Sequence, residues 1–410
     1  MPAAAGASAV ASTTGSVIRP MHTSGPREYA TAHRWRAFRL TRKLALVTFD
    51  RVRRGCGAAL TAVAAMCVAT RAAVTQNPQS TAAAPADSTS GKARLFDAGE
   101  PLALTLKADF GAIFKQRSGT KRDVPGVISY VTGSGDSIAL DVQLRTRGHF
   151  RLANCQYPPL KVGFDRERAA KTVFAHQGNS VKLVVQCRGG QTYANYLLEE
   201  YLIYRTYNLL TDLSFRVRLA RVTYLDANGK RESETRYGFF VEDDDRMARR
   251  NHTNVLERKG VSQTELEPDQ MGLTAVFEYM IGNTDWAVSA LHNIVLLSDS
   301  VGTTVYPVPY DFDWSGVIWP PYARPDPSLT IHTVRERTFR GTCRTPQDLA
   351  FLFAPFNARK DAIYTLYRDM EKEGLEAKRV EQALEYYDEF YKTINDKART
   401  QSAFIRGCQG

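Results

Sequence analysis

The densest group of side chains able to do chemistry lies in residues 283–316, NTDWAVSALHNIVLLSDSVGTTVYPVPYDFDWSG. Asp285, His292, Asn293, Asp311 and Asp313 stand there between apolar runs. An Asp, then an Asn, then Asp-Phe-Asp is a residue set that phosphoryl transfer uses. One Asp orients or deprotonates the attacking hydroxyl, while the Asn and a second Asp offer hard oxygen ligands to Mg²⁺ on the phosphates of ATP. On this reading Asp285 is the catalytic carboxylate, and Asn293 and Asp311 are metal ligands. Asp313 is a further metal ligand or the partner of an arginine.

Something must bring these residues together. Residues 294–297 are short, apolar and partly β-branched, and Ser298-Asp299-Ser300-Val301-Gly302 is a turn signal. Residues 303–308 read as the returning strand. Asp285 and Asn293 precede this hairpin and Asp311 follows it, so its two ends can bring the three side chains to one place.

Upstream, residues 94–164 are β-rich. The run 101–107 alternates with period two, 126–132 and 138–147 follow as strands, and Gly133 to Gly135 makes a turn. Arg147-Gly148 marks either a bend or a close approach of backbone to phosphate. Residues 181–185 form another strand, and 192–210 form a helix with Leu197, Tyr201, Tyr204 and Asn208 on one stripe. Glu200 lies in that helix. In kinases a strand lysine holds the α and β phosphates and pairs with a helix glutamate. Lys161 with Glu200 would satisfy this, and Lys182 is the competing lysine. For either one, a solvated strand charge is the plain alternative. Residues 215–225 alternate up to Asp226-Ala-Asn228-Gly229, a hairpin signal, and the partner strand closes at Glu242-Asp-Asp-Asp245. That acidic run is a hinge near a nucleotide, a metal cluster or a solvated loop. Beyond residue 251 the pattern is helical, with core stripes through 345–397, and Arg335, Arg337, Arg340 and Arg344 are either solvated or bind an acidic substrate.

Composition narrows the class. The chain has 410 residues, 43% of them hydrophobic and 24% charged, ordinary values for a globular protein. Its net charge of +11 is concentrated in residues 1–54, where 10 Lys/Arg against 2 acids give 10 − 2 = +8, leaving 11 − 8 = +3 for the remainder. A basic nucleic-acid-binding face is therefore not implied. Within residues 1–74, Arg51, Arg53 and Arg54 precede an uncharged apolar run, 55–70, followed by Arg71-Ala72-Ala73. These are the parts of an export signal. An uncleaved anchor, the one route by which this chain would hold to a membrane, and an Ala-rich cytosolic helix are the alternatives. Residues 75–92 are a polar linker too poor in apolar residues to fold, and two lobes follow, 93–245 and 246–410. Cys56 and Cys67 belong to the leader. The other four cysteines allow three pairings, and Cys155 with Cys187 and Cys343 with Cys408 each fall within one lobe. Four free thiols of a cytosolic protein is the alternative to these disulfides.

In this order the motifs resemble those of the spore coat protein H (CotH) family of atypical, secretory-type protein kinases. The likeness spans roughly residues 100–395, apart from the loop after Trp314. It rests on Arg147-Gly148, Pro158-Pro159-Leu160-Lys161, Asn195-Tyr196-Leu197 with Glu200, and Val241-Glu242. Its most specific part is Asn283-Thr284-Asp285-Trp286, His292-Asn293 and Pro309-Tyr310-Asp311-Phe312-Asp313. The resemblance implies an α+β, two-lobed kinase-like fold: a β-rich N-lobe with one helix carrying Glu200, and a mostly helical C-lobe with the hairpin. It also implies ATP with Mg²⁺ or Mn²⁺ as cofactors, a protein hydroxyl as acceptor, and Lys161 with Glu200 as the nucleotide-positioning pair, with Arg147 and Glu242 in the motifs beside it; Lys182 remains the competing lysine. The chain departs from the family in having two prolines before a single Lys161, an insert at 164–179, the cysteines and the arginine-rich loop. A pseudokinase serving as a cell-surface assembly module, a metal-dependent phosphoesterase using His292, and a structural Asp/Asn network are the competing functions.

Overall fold

The computed structural model describes residues 94–117 and 121–409. The expected leader, its apolar run, Cys56, Cys67 and the linker lie outside the described residues.

Strict alternation of apolar and polar residues builds the first half. β1 (Leu102–Ala108) turns Leu102, Leu104, Leu106 and Ala108 inward and the residues between them outward. β2 (Val124–Val131), β3 (Ser137–Thr146), β4 (Leu160–Phe164), β5 (Ser180–Val185), β6 (Val217–Asp226) and β7 (Glu234–Val241) join it. Together they close a seven-stranded barrel in the order β1-β2-β3-β4-β5-β7-β6. All pairs are antiparallel except β1 with β6, which runs parallel and closes the ring. Closure leaves no free sheet edge. The interior is one apolar core that includes Ile128, Leu144, Val162, Phe174 and Phe240.

Three short helices decorate the barrel: α1 (Phe110–Phe114), α2 (Phe150–Asn154) and α3 (Arg166–Ala169). A single helix was expected in this half, and that one is α4 (Gln191–Leu210). The others are too short to leave a periodic signature. The one-sided stripe expected of α4 is also corrected. From Ala194 to Tyr207 nearly every residue is buried, because α4 is covered both by the barrel's outer wall and by the C-terminal helices.

The second half is mainly helical. α5 (Asp244–Arg250), α6 (Pro268–Ile281), α7 (Pro346–Asp369) and α8 (Ala377–Asn395) surround a three-stranded sheet. Its strands are β8 (Asn254–Leu256), β9 (Ile294–Ser298) and β10 (Val305–Pro309), in the order β10-β9-β8. β9 and β10 are the expected hairpin, paired from Ile294 opposite Pro309 to Ser298 opposite Val305. α6 starts at Pro268, pre-set for a first turn, and stops at Gly282 in the left-handed region, φ +67°. A Cβ at Gly282 would run into the Tyr386 hydroxyl, so this sharp turn into the Asn283–Asp285 segment requires glycine.

Disulfides join Cys155 to Cys187 and Cys343 to Cys408, the expected pairing. With sequence separations of 32 and 65, each restricts the unfolded chain by an amount worth about 4 kcal/mol. Among the described residues no helix is long and apolar enough to cross a membrane.

The arginines of the 335–344 segment are half-buried and engaged with the protein itself. Arg335 and Arg337 stack on Tyr386, and Arg337 also donates to the Met280 carbonyl at 3.2 Å. Arg340 donates to the Trp286 carbonyl at 2.9 Å, and Arg344 donates to the Pro268 carbonyl. The acceptors lie at the two ends of α6 and at Trp286, so these guanidinium groups tie the irregular loop to the elements beside it.

Candidate active site

The two ends of the β9–β10 hairpin meet at a cavity of about 590 Å³. Asp285, His292, Asn293, Asp311 and Asp313 line it, together with Arg147, Gly148, His149, Phe150 and Arg151 from the barrel side.

The local backbone explains the convergence. Ala287 and His292 exchange two backbone hydrogen bonds, 2.9 and 3.0 Å, which folds residues 287–292 back on themselves and sets Asn293 beside Asp285. The Tyr310 N–H donates to the Asn293 carbonyl at 3.0 Å, tying the far end of the hairpin to its start. The Asp311 N–H donates to the Tyr204 hydroxyl of α4 at 2.8 Å. Asn293 and Asp311 both adopt left-handed backbone, φ +52° and +63°. Strain of this sort persists where surrounding structure enforces it, and it gathers at functional sites.

Asp285 is held on three sides. Its N–H donates to Asn283 Oδ1 at 3.0 Å, its Oδ1 lies 2.8 Å from His292 Nε2, and its Oδ2 accepts from Asn293 Nδ2 at 3.0 Å. Asn293 Nδ2 also donates to the Asp285 carbonyl at 2.7 Å. Both amide donations are spent on Asp285, so the Asn293 oxygen is left for another partner. The Asp311 side chain is 51% exposed, and its one ionic neighbour within 4 Å among the described residues is Arg151, at 3.9 Å.

Asp313 and Glu200 are buried and meet at Arg151, a residue to which the sequence reading gave no role. Arg151 Nε donates to Asp313 Oδ2 at 2.9 Å, and Arg151 Nη2 donates to Glu200 Oε2 at 2.5 Å. Tyr322 adds a longer hydroxyl contact to Asp313 at 3.4 Å. Burial pushes the Glu200 carboxyl up to about 8, with Arg151 lowering it and Asp313 and Asp311 raising it further. Burial likewise pushes Asp313 up to about 6 against the pull of Arg151. Around one guanidinium stand three carboxyl groups, Glu200, Asp311 and Asp313, more acid than one arginine balances. Such a surplus favours a bound cation.

The donor set fits Mg²⁺. Asp311 and the free oxygen of Asn293 are hard ligands facing the cavity. Among the described residues no group of three or more His, Cys, Asp or Glu side chains forms a ready-made cage. Mg²⁺ tolerates this, because it is commonly held by one or two side chains and completes its shell with phosphate oxygens and water. Of the two roles expected of Asp313, metal ligand or partner of an arginine, the structure forms the second, since a buried carboxylate requires a cation and Arg151 reaches it.

The lysine expectations are corrected. Neither Lys161 nor Lys182 lines the cavity. In β4 the inward residues are Leu160, Val162 and Phe164, which leaves Lys161 on the outer wall, in a separate hollow with Asp123 and Arg145. Lys182, its cross-strand neighbour, is bound to Asp244 at 2.5 Å. Glu242 is also not a cavity residue. It is fully buried and clamped by Arg246 at 3.1 Å and Arg250 at 2.9 Å, and its N–H is spent on the Arg216 carbonyl. Arg147 does face the cavity, and its guanidinium has no protein acceptor among the described residues.

Arg151 was missed because the five-residue helix that carries it has no periodicity to read. No protein-family model matches this chain, and no curated protein matches it.

Proposed function

We propose that this chain is an exported, Mg·ATP-dependent atypical protein kinase, two-lobed and similar to the CotH family, that phosphorylates a protein hydroxyl. The carrying observation is the convergence of Asp285, Asn293 and Asp311 on one open cavity beneath Arg147 and Gly148. Bound Mg²⁺ would neutralise charge on the transferring phosphoryl group. Asp285, steadied by His292 and Asn293, accepts or orients the proton of the acceptor hydroxyl. Asn293 and Asp311 present the oxygens that hold the cation, and the unpaired Arg147 guanidinium is suited to phosphate. Two disulfides support an oxidising compartment, hence export. The near-neutral balance of residues beyond 54 supports a protein partner over nucleic acid.

One observation favours a pseudokinase as the second reading: among the described residues that line the cavity, none is a lysine. His292 is engaged with Asp285, and this weighs against a phosphoesterase using it as a free ligand. Calorimetric titration with ATP tests the nucleotide reading. Binding is expected with Mg²⁺ present and is expected to weaken on chelation. In Asp311→Ala, ATP binding should no longer respond to Mg²⁺. Binding indifferent to both the metal and this substitution would remove the proposal.

A further inference from the structure

Glu200 sits on α4 with its side chain only 2% exposed, facing the site rather than solvent. The cation that meets it is Arg151, and four features place that residue where a phosphate would pass.

The first is its anchoring. α2 ends at Cys155, whose disulfide to Cys187 ties the helix to the segment between β5 and α4. Arg117 closes the same end by donating to the carbonyls of Leu152, Cys155 and Gln156 at 2.9, 2.5 and 3.0 Å. Phe150 packs against Trp314 and Tyr322, with ring centroids at 5.2 and 5.5 Å. The second feature is charge. An arginine stays charged in a protein, and here its guanidinium faces the carboxyl groups of Glu200, Asp313 and Asp311 at 2.5, 2.9 and 3.9 Å. The third is donor arithmetic. Nε and Nη2 are committed to Asp313 and Glu200, while Nη1 has no protein acceptor among the described residues. The fourth is position: Arg151 lines the same cavity as the unpaired Arg147 and lies 3.9 Å from Asp311.

Resting on the nucleotide reading of this cavity, we infer that Arg151 is the phosphate-positioning cation, doing through a planar fork what a strand lysine paired with the helix glutamate does in other kinases. Glu200 and Asp313 fix two edges of the guanidinium, and Nη1 donates to a phosphate oxygen. A lysine has a single nitrogen and cannot span two carboxylates and still offer a preset edge.

The test compares Mg·ATP with adenosine by calorimetric titration of wild type and Arg151→Lys. Wild type is expected to bind both. Arg151→Lys is expected to bind adenosine unchanged and Mg·ATP about 10–100-fold more weakly, the worth of one hydrogen bond to a charged group. If Arg151→Lys does not fold, as judged by circular dichroism, the triple variant Arg151→Met/Glu200→Gln/Asp313→Asn replaces it. Removing all three charges leaves neither buried carboxylate without its cation. The same selective loss of Mg·ATP is expected from it. Unchanged Mg·ATP binding in the folded variant overturns the role of Arg151 and leaves the nucleotide reading standing. Wild type that fails to bind Mg·ATP overturns both.

Discussion

Asp285→Asn is expected to keep Mg·ATP binding close to wild type while lowering phosphoryl transfer by about 10²–10⁴-fold, the usual contribution of a positioned general base. The substitution keeps size and shape. The Asn293 amide retains its 2.7 Å bond to the residue 285 carbonyl, so the metal-facing oxygen of Asn293 stays in place. What disappears is the carboxylate beside His292 that can take a proton. Single-turnover kinetics separate the two effects. A variant that loses nucleotide affinity with its chemical step intact would make Asp285 a bracing residue of the hairpin.

The other large effect concerns stability. Glu278 lies in α6 among buried residues, and its carboxyl oxygens make no hydrogen bond of normal geometry among the described residues, the Asn283 side chain offering a weak one at most. Burial pushes it from 4.5 up to about 8, Asp285 adds to the rise, and Asn283 and Arg340 offset part of it. The folded state therefore holds this proton over a range in which the unfolded chain has released it. Its stabilising share is complete below about pH 4.5, declines as pH rises, and is gone above about pH 8. The loss is on the order of 5 kcal/mol. Glu199 and Glu200, also raised to about 8, slope the same way, so the informative quantity is the difference between wild type and Glu278→Gln. Glu278→Gln should be markedly the more stable protein at pH 8.5, with the gap closing toward pH 5. Urea denaturation across that range measures it. A gap that does not change with pH would mean that Glu278 is ionised, or already paired, in the folded protein.

Features carried by local pattern were legible in the sequence. Alternation marked the strands, and the turn at residues 298–302 marked the hairpin that joins Asp285, Asn293 and Asp311. The same alternation contains the correction to Lys161. In Leu160-Lys161-Val162-Gly163-Phe164 the apolar residues must face the barrel core, which turns the lysine to the outer wall. Barrel closure was not legible, because the parallel pairing of β1 with β6 joins segments more than 100 residues apart and leaves no local trace. Nor was the partner of Glu200. Arg151 meets it across 49 residues, from a helix of five, and the pairing depends on the disulfide and on the stacking of Phe150. For the arginines at 335–344 sequence offered only charge. Their use, binding carbonyls and the Tyr386 ring, is a property of the packed loop.

The most direct measurement is a crystal structure of the protein with Mn²⁺ and a non-hydrolysable ATP analogue, with the metal located by its anomalous scattering. An ion within coordination distance of the Asp311 carboxylate and the Asn293 amide oxygen, bridging to phosphate beside Asp285, is the expected result. Mn²⁺ bound elsewhere, or an analogue lodged outside this cavity, would contradict the assignment of the hairpin ends as a phosphoryl-transfer site.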